Sequence, residues 1–342
     1  MFFDAFAEGG DAVKRTTIKD VAREAGVSIS TVSNALNNVG VISEKTRAHV
    51  LEVADRLHYI PNSSGQNLRS QERRAIGLFV YELVGAYYAV LAESMHRECV
   101  KRGYELYIYI TSSDETILQK TLGGEVSGAV LFCNVSERTV HMLDSAGIPV
   151  ILLNIDRCAK NVSSVVFDSF HEGEMAANYL MGLGHRRLMH VAGIPNNYDA
   201  VSREAGMRSA MERAGLAIEE GYRIEGLFSR RAAYRAMKQF LASGKPLPDA
   251  IFAANDLSAY GCMEAMKEEG IRVPEDVSLI GCDDIEICEI CTPPLTTIRT
   301  NFDVQGIIAL GYLLDIMDGE HSGTVHYIGG QLVIRGSCRE KE

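Results

Sequence analysis

The chain has 342 residues, of which 46% are hydrophobic and 23% are charged, a balance typical of globular proteins with well-packed domains. No apolar stretch reaches the ~18–20 residues that cross a bilayer, and the first residues lack the basic start and apolar centre of a signal peptide. We therefore expect a cytoplasmic protein with no membrane partner, whose eight cysteines are mostly free thiols.

Charge is unevenly distributed along the chain. Residues 14–74 hold ten basic and six acidic side chains, so this segment carries +4 and the remainder carries -15 of the overall net charge of -11. A small basic module on an acidic body is typical of a protein that binds a polyanion at one end. A merely solvated basic face would give the same pattern, so the charge alone leaves both interpretations open.

The stretch TTIKDVAREAGVSISTVSNALNN, residues 16–38, predicts two short helices around one turn. Thr17 and Asp20 have the spacing of a capping pair at the start of the first helix. Gly26 is suited to end that helix, because glycine readily adopts the left-handed conformation. Ser28 is placed to cap a second helix at about residues 29–36. The pattern predicts a helix-turn-helix, followed by a third helix over residues 44–58.

In a helix-turn-helix the second helix enters the major groove of DNA. Ile29, Ser30, Ser33 and Asn34 face outward on that helix, and serine and asparagine can hydrogen-bond to base edges. Thr31 and the helix ends are suited to hold phosphates. The alternative interpretation is a plain three-helix bundle with a polar face. The residues expected to contact DNA, including Leu68 discussed below, are Thr17, Ser28, Ile29, Ser30, Thr31, Ser33, Asn34, Asn37 and Leu68.

Two motifs, TIKDVAREAGVSISTVSNALN and ISEKTRAHVLEVADRLHYIPN, closely resemble the lactose-repressor (LacI/GalR) family of bacterial transcription regulators. The resemblance extends over about residues 16–339. It implies that Ile29, Ser30 and Asn34 read bases, and that a hinge after Pro61-Asn62 forms a helix whose Leu68 wedges into the minor groove. The chain has Gly65-Gln66-Asn67 where the family usually has Ala-Arg-Ser, which implies a weaker hinge helix.

After residue 74 apolar runs alternate with amphipathic segments, and the series begins again after Asp168. This alternation predicts an α/β core of two similar subdomains with parallel sheets, in addition to the N-terminal all-α domain. Open parallel sheets bind ligands beyond the carboxyl ends of their strands, and several acidic and amide side chains follow strand-like runs. They are Asp156, Asp168, Asn255, Asp256, Asp283 and Asp284.

The family resemblance implies that the core is a periplasmic-binding-protein-like pair of subdomains that closes around a small effector. Its motifs include SREAGMRSAMERAG, FAANDLSAYGCMEAMKEEGIRVPEDVSLIGCDD and PPLTTIR. Aromatic side chains could stack on a ring while arginine and carboxylates bind hydroxyls or amines. The effector-binding positions that the resemblance implies are Tyr87, Tyr88, Asp168, Arg203, Phe228, Asn255, Asp256 and Asp283.

The effector class remains open between several small molecules, with a sugar or sugar derivative favoured. The segment NNYDAVS before Arg203 lacks the additional arginine that a purine-binding relative uses, which disfavours guanine and hypoxanthine. The segment DETILQKTLGGEVSGAV is shorter than is usual in the family, so one wall of the first subdomain could differ. A phosphoprotein corepressor is a further alternative.

Two other functions receive little support from the motifs. Cys282, Cys288 and Cys291 lack a second nearby pair of metal ligands, so we expect neither a metal nor another cofactor. No phosphate-binding loop, dinucleotide fingerprint or nucleophile elbow is present, so we expect no enzyme activity. A cytosolic sugar-binding receptor without a DNA function is the main alternative to an effector-controlled repressor.

The expected domains are a disordered tail over residues 1–13, a DNA-binding domain over 14–62, a hinge over 63–74 and a core over 75–342. Within the core we place one subdomain at about 75–166 and 298–326, and the other at about 167–297 and 327–342. The chain ends in GSCREKE without a leucine heptad. The resemblance therefore implies a homodimer that binds operator DNA, rather than a tetramer.

Overall fold

The computed structural model describes residues 16–36, 39–40, 42–59, 74–83 and 86–341. The chain divides into two compact units, Met1–Arg73 and Arg74–Glu342. Asn37, the glycine at position 65 and Leu68 lie outside the described residues, so the expectations for them are carried no further by the structure.

Three helices form the described part of the first unit: α1 at Ile18–Ala25, α2 at Ile29–Leu36 and α3 at Glu44–Arg56. Their apolar faces meet in one small core, because the buried side chains recur at helical spacing. α3 ends two residues earlier than the sequence predicts. The buried core residues are Val21, Ala22, Ala25, Val32, Ala35, Val50, Val53 and Ala54.

The turn between α1 and α2 depends on a left-handed residue. Gly26 has φ 65°, and the amide of Val27 donates to the carbonyl of Ala22 over 3.1 Å. A residue with a Cβ would adopt this conformation at a cost of about 1–2 kcal/mol. The predicted helix-turn-helix is therefore present, with glycine at the position that reverses the chain.

The first subdomain of the second unit is built on a six-stranded parallel sheet in the order β11-β5-β4-β3-β1-β2. Helix α12 packs against α4 and against the middle strands of this sheet. Its elements are β1 (Ala75–Val80), α4 (Ala86–Lys101), β2 (Glu105–Ile110), α5 (Asp114–Leu122), β3 (Gly128–Phe132), α6 (Glu137–Ser145), β4 (Val150–Leu153), β5 (Val162–Phe167), α12 (Phe302–Met317) and β11 (Val325–Ile328).

The second subdomain has a four-stranded parallel sheet in the order β7-β6-β8-β9, and a separate antiparallel pair of strands β10 and β12. Helices α7 and α8 pack together, as do α9 and α10. Its elements are α7 (Ser169–Gly182), β6 (Leu188–Ala192), α8 (Tyr198–Arg213), β7 (Arg223–Glu225), α9 (Arg230–Ala242), β8 (Ala250–Ala253), α10 (Asp256–Glu268), β9 (Ser278–Ile280), α11 (Ile287–Ile290), β10 (Thr297–Arg299) and β12 (Gln331–Val333).

The inner strands of both sheets are buried on both faces, which is why they read as continuous apolar runs rather than as alternating ones. In β1, Ile76 and Leu78 join one core cluster, while Phe79 joins the cluster on the opposite face. Gly77 leaves room for the Phe79 ring, since a Cβ there would lie 2.6 Å from it. Each sheet therefore forms a well-packed core, and the loops at its edge can position the side chains of a site.

The chain passes between the two subdomains three times, after β5, after β10 and after β11. The boundary predicted after residue 297 falls inside β10, and the boundary predicted after residue 326 falls inside β11. In the structure the chain crosses between the subdomains a few residues after each predicted boundary. β10 stays in the second subdomain because it pairs with β12, and β11 stays in the first because it pairs with β5. Among the described residues, no helix has the length and apolar character to span a membrane.

Candidate functional sites

Helix α2 presents a polar stripe to solvent. Ile29 is 44% exposed at its start and Ser30 is also exposed, whereas Val32 and Ala35 are buried against the other helices. The two other predicted outward positions, Ser33 and Asn34, are half-buried, as is the predicted phosphate-binding residue Thr31. The exposed face therefore combines hydroxyl, amide and one apolar side chain, which is the chemistry that reads base edges in a major groove.

Capping hydrogen bonds hold the ends of α1 and α2. The amide and hydroxyl of Thr17 donate to one carboxylate oxygen of Asp20 over 3.0 and 2.7 Å, and these bonds lower the pKa of Asp20. The hydroxyl of Ser28 accepts from the amide of Thr31 over 3.1 Å. Thr17 and Ser28 thus have a structural role as helix caps. Both lie at helix N-termini, which favour phosphate contacts.

In the second unit, a cleft of about 930 Å³ lies between the two subdomains. Its first-subdomain wall is aromatic, and the opposite wall carries the polar and charged side chains. Six of the eight predicted effector positions line it: Tyr87, Tyr88, Arg203, Phe228, Asn255 and Asp283.

The other two predicted positions do not line the cleft. Asp168 caps α7, where its carboxylate accepts from the amide of His171 over 3.2 Å. Asp256 is completely buried, and its oxygens accept from the hydroxyl of Thr297 over 2.6 Å and from the amide of Ile285 over 3.0 Å. Burial raises the pKa of Asp256 to about 6. Both residues follow strands, but their side chains make hydrogen bonds within the protein instead of facing the cleft.

Arg203 is the buried cation of the cleft, with only 3% of its surface exposed. Its Nε donates to Glu172 over 2.9 Å, Nη1 donates to the carbonyl of Ala254 over 2.8 Å, and Nη2 lies 3.7 Å from Asp283. Burial opposes its charge, but the nearby carboxylates raise the pKa of Arg203 well above its ordinary value. The guanidinium is therefore fixed and charged at the carboxyl ends of β8 and β9.

Asp283 lies beside Arg203 in a strained backbone conformation. Its φ is 119°, a region that non-glycine residues rarely occupy, and its amide donates to the carbonyl of Ile298 over 2.8 Å. Burial raises the pKa of the Asp283 carboxyl well above its usual range, while Arg203 acts in the opposite direction. This backbone conformation directs the Asp283 carboxyl into the cleft, beside the guanidinium of Arg203.

Three hydrogen-bonded polar residues at the cleft were not predicted from the sequence: Asn154, Asp199 and Gln305. The amide of Asn154 donates to Asp199 over 2.8 Å, and Gln305 donates to Asn154 over 2.7 Å. Asn154 follows β4, so the rule that selected residues after strands could have found it. Asp199 lies one helical turn before Arg203 on α8 and shares its face. Gln305 is buried within α12 and gave no sequence signal.

Aromatic rings form the wall opposite Arg203. The ring of Tyr87 packs edge-on against Phe302 at 4.8 Å and lies 5.0 Å from Phe132. Across the cleft, Phe228 has φ 53°, and its ring lies so close to Gly193 that a Cβ there would be 2.5 Å away. Asn255 donates to the carbonyl of Phe228 over 3.2 Å while capping α10. The arrangement can hold a small ligand between apolar faces and hydrogen-bonding groups.

The chain matches the description of bacterial regulatory proteins of the lacI family over residues 17–62, and that of a periplasmic binding protein-like domain over residues 177–338. It is 33% identical to the HTH-type transcriptional repressor PurR of Haemophilus influenzae (strain PittEE) over 337 residues, covering 94% of this chain and 98% of the relative. The chain belongs to the lacI family. It is accordingly a DNA-binding transcriptional regulator with an effector-binding type of core.

Solved structures of lacI-family proteins share the fold. The Lac repressor dimer bound to operator and the anti-inducer ONPF has a TM-score of 0.83, with 28% identity, covering 95% of this chain and 100% of that chain. A complex of the transcriptional regulator CelR with cellobiose has a TM-score of 0.70, with 28% identity, covering 94% and 100%. The predicted fold class, a helix-turn-helix domain with a two-subdomain parallel-sheet core, is thus confirmed.

The cysteines that the sequence singled out lie in the core of the second subdomain. Cys282, Cys288 and Cys291 are buried, and burial raises the pKa of all three thiols. The Sγ of Cys282 lies 3.8 Å from Glu172, beneath Arg203. All eight cysteines of the chain are unpaired.

Proposed function

We propose that this lacI-family regulator is a dimeric repressor whose affinity for operator DNA is set by a sugar or sugar derivative bound between the core subdomains. The observation that carries the proposal is the cleft, with aromatic rings on one wall and the Arg203–Asp283 pair on the other. Its volume of about 930 Å³ is that of a small-molecule site.

The polar groups of the cleft suit a polyhydroxylated ligand. Asp199 and Asp283 supply hydrogen-bond acceptors, while Arg203 and Asn197 supply donors. Hydroxyl groups both donate and accept, so one sugar ring can satisfy this mixed set while its apolar face packs on Tyr87 and neighbouring rings. A purine would also stack there, but it offers fewer donors to two carboxylates.

Effector binding would control DNA binding by linkage. A ligand that touches both walls of the cleft favours one arrangement of the subdomains, and it shifts DNA affinity only as far as the two arrangements differ in that affinity. The CelR–cellobiose and Lac repressor–ONPF complexes are consistent with a ligand in this fold, and the Lac repressor dimer is consistent with a homodimer. Since a repressor acts on the chromosome, we infer a cytoplasmic location.

On the DNA side, we propose that Ile29, Ser30 and Asn34 read bases in the major groove, with Ser33 beside them. The capped helix ends at Thr17, and at Ser28 with Thr31, are proposed to hold phosphates. Asn37 and Leu68 remain expectations of the family resemblance. We propose that the chain binds rather than catalyses, because relatives of similar length, such as the HTH-type transcriptional repressor PurR, are transcriptional repressors.

A thermal-shift screen of the full chain tests the effector. The compounds are D-ribose, D-glucose, cellobiose, guanine and hypoxanthine, each tested over a series of rising concentrations. A ligand that reaches about 100 times its dissociation constant stabilises the protein by about 2.7 kcal/mol. We expect a sugar to stabilise wild type and to do so much less in Arg203→Lys. Arg213→Lys is the matched control, because Arg213 lies on the same helix but pairs with Glu174 at the surface. Stabilisation by purines alone would refute the sugar proposal.

A further inference from the structure

A chain of hydrogen bonds runs from the cleft wall into the second subdomain. The hydroxyl of Tyr87 donates to Oε1 of Gln305 over 2.6 Å, and Nε2 of Gln305 donates to Oδ1 of Asn154 over 2.7 Å. Nδ2 of Asn154 then donates to Oδ2 of Asp199 over 2.8 Å, whose other oxygen accepts from Ser169 over 2.9 Å. From Tyr87 to Asp199, every donated hydrogen points away from Tyr87.

The direction of this chain is fixed at two points. Nε2 of Gln305 also lies 3.1 Å from the carbonyl oxygen of Val165, which can only accept, so the amide nitrogen must face that side. At the far end, both oxygens of Asp199 accept hydrogen bonds. Reversing the chain would leave an oxygen of Gln305 against the Val165 carbonyl in a fully buried position, which costs about 1–3 kcal/mol.

This direction of hydrogen bonding determines which role the hydroxyl of Tyr87 can have toward a ligand. Burial raises the pKa of Tyr87 well above its ordinary value, so the phenol keeps its single hydrogen, and Gln305 takes that hydrogen. Packing of the ring against Phe302 and Phe132 holds the oxygen in place. Tyr87 lines the cleft, so a ligand that reaches its hydroxyl oxygen meets lone pairs only.

We propose that Gln305 determines effector specificity through Tyr87: it makes the Tyr87 oxygen an obligate acceptor, so the effector must present a hydrogen-bond donor there. This inference rests on the proposed function, since it concerns the ligand of the same cleft. The favoured group is a sugar hydroxyl, and a ring oxygen, ether or carbonyl at that point is rejected. Gln305 is a positioning residue, because it acts on the ligand only through Tyr87.

The first test needs no ligand. In full-length protein labelled at tyrosine Cζ, NMR detects slowly exchanging hydroxyl protons, and loss of one signal in Tyr87→Phe assigns Tyr87. We expect this signal in wild type and in Gln305→Glu, because a protonated carboxyl keeps both an acceptor for Tyr87 and a donor for the Val165 carbonyl. We expect its loss or a large shift in Gln305→Leu. No such signal in wild type, or an unchanged signal in Gln305→Leu, overturns the proposal.

The second test uses D-ribose, D-glucose and cellobiose with their monodeoxy-monofluoro derivatives, because fluorine is close to a hydroxyl in size but cannot donate. For the sugar that binds, we expect fluorine at one position to weaken binding to wild type and Gln305→Glu by about tenfold or more. In Gln305→Leu the freed Tyr87 hydroxyl can turn, so the loss should shrink to about threefold or less. An equal loss in all three proteins overturns the proposal.

The two tests separate this inference from the proposed function. If none of the three sugars binds, the sugar proposal fails, and the hydroxyl signal alone decides the direction of the chain. If a sugar binds and every fluorinated derivative binds equally well to wild type, the sugar proposal stands and the role of Gln305 is refuted. A fall in stability in Gln305→Leu without a change in the fluorine ratio would show a merely structural residue.

Discussion

Asn154 and Asp199 belong to different subdomains, yet the side-chain amide of Asn154 donates to the carboxylate of Asp199 over 2.8 Å. Asn154 follows β4 with φ 54°, and Asp199 lies in the first turn of α8, four residues before Arg203. This hydrogen bond therefore ties the two walls of the cleft together directly beneath the proposed ligand site.

Asn154→Ala should weaken both folding and ligand binding. Asp199 is buried and would lose one of its two donors, which costs about 1–3 kcal/mol in the free energy of unfolding. Affinity for the sugar found by thermal shift should fall about tenfold, because closure loses a contact between the subdomains. Asn161→Ala is the control, since Asn161 binds Asp144 within one subdomain. Calorimetric affinities that are equal in both variants would contradict this role of Asn154.

Arg203→Lys should reduce sugar affinity by about 10- to 100-fold while the fold survives. Lysine keeps the charge near Glu172, but it cannot reproduce the fork that also binds the Ala254 carbonyl. Arg203→Ala should instead lower the free energy of unfolding by about 3–5 kcal/mol, because the buried Glu172 carboxylate would lose its cationic partner. Urea titration and isothermal calorimetry distinguish the two effects. Unchanged binding in Arg203→Lys would remove Arg203 from the ligand site.

Gly193→Ala should close part of the cleft. A Cβ at this position lies 2.5 Å from the Phe228 ring and 2.7 Å from Ala200, so the ring must move. We expect sugar affinity to fall by about tenfold or more, together with a loss of stability, because the Cβ of Ala200 cannot turn away as the ring can. Gly311→Ala, in α12 with open space around it, should leave affinity unchanged. Equal affinities in the two variants would show that the Phe228 ring does not contact the ligand.

His190 should make stability fall in mild acid. Its Nδ1 lies 3.1 Å from the Phe252 carbonyl, and burial lowers the pKa of His190 to about 4 despite Glu204 at 4.0 Å. The unfolded chain takes up this proton near its ordinary pKa, so the free energy of unfolding drops as pH falls from about 6.5 to 4, by on the order of 2–3 kcal/mol.

The matching measurement is the pH dependence of urea unfolding in wild type and His190→Asn. The difference between the two curves isolates His190 from Asp256, whose raised pKa acts in the opposite direction over roughly the same range. Arg208 and Arg223, which also face His190, are unchanged in the comparison. Parallel curves between pH 4 and 6.5 would contradict the assignment.

Local patterns predicted much of the architecture. The turn at Gly26 and the cap at Ser28 follow from backbone geometry within a few residues, so the helix-turn-helix could be derived from the sequence. The strand–helix alternation predicted parallel sheets, because strands buried on both faces are apolar throughout. These features depend on near neighbours in the chain, and short-range rules describe them well.

The candidate site was harder to predict, because it depends on contacts between distant residues. Asp256 and Asp283 both follow strands, yet Asp256 turns into the core to meet Thr297, while strain at Asp283 directs it beside Arg203. Gln305 meets Asn154 across 151 positions of sequence, and no local pattern marks a polar residue buried in an apolar helix. Such pairings require the tertiary structure.

The central claim is that a sugar in the cleft controls DNA binding by the helix-turn-helix, and one measurement tests it directly. DNA that the full chain selects from a random pool is sequenced, and the selected site is then titrated at fixed salt with and without D-ribose, D-glucose or cellobiose. We predict two half-sites related by two-fold symmetry and an affinity that changes at least about tenfold with one of these sugars. A sugar that stabilises the protein but leaves DNA affinity unchanged would contradict the account.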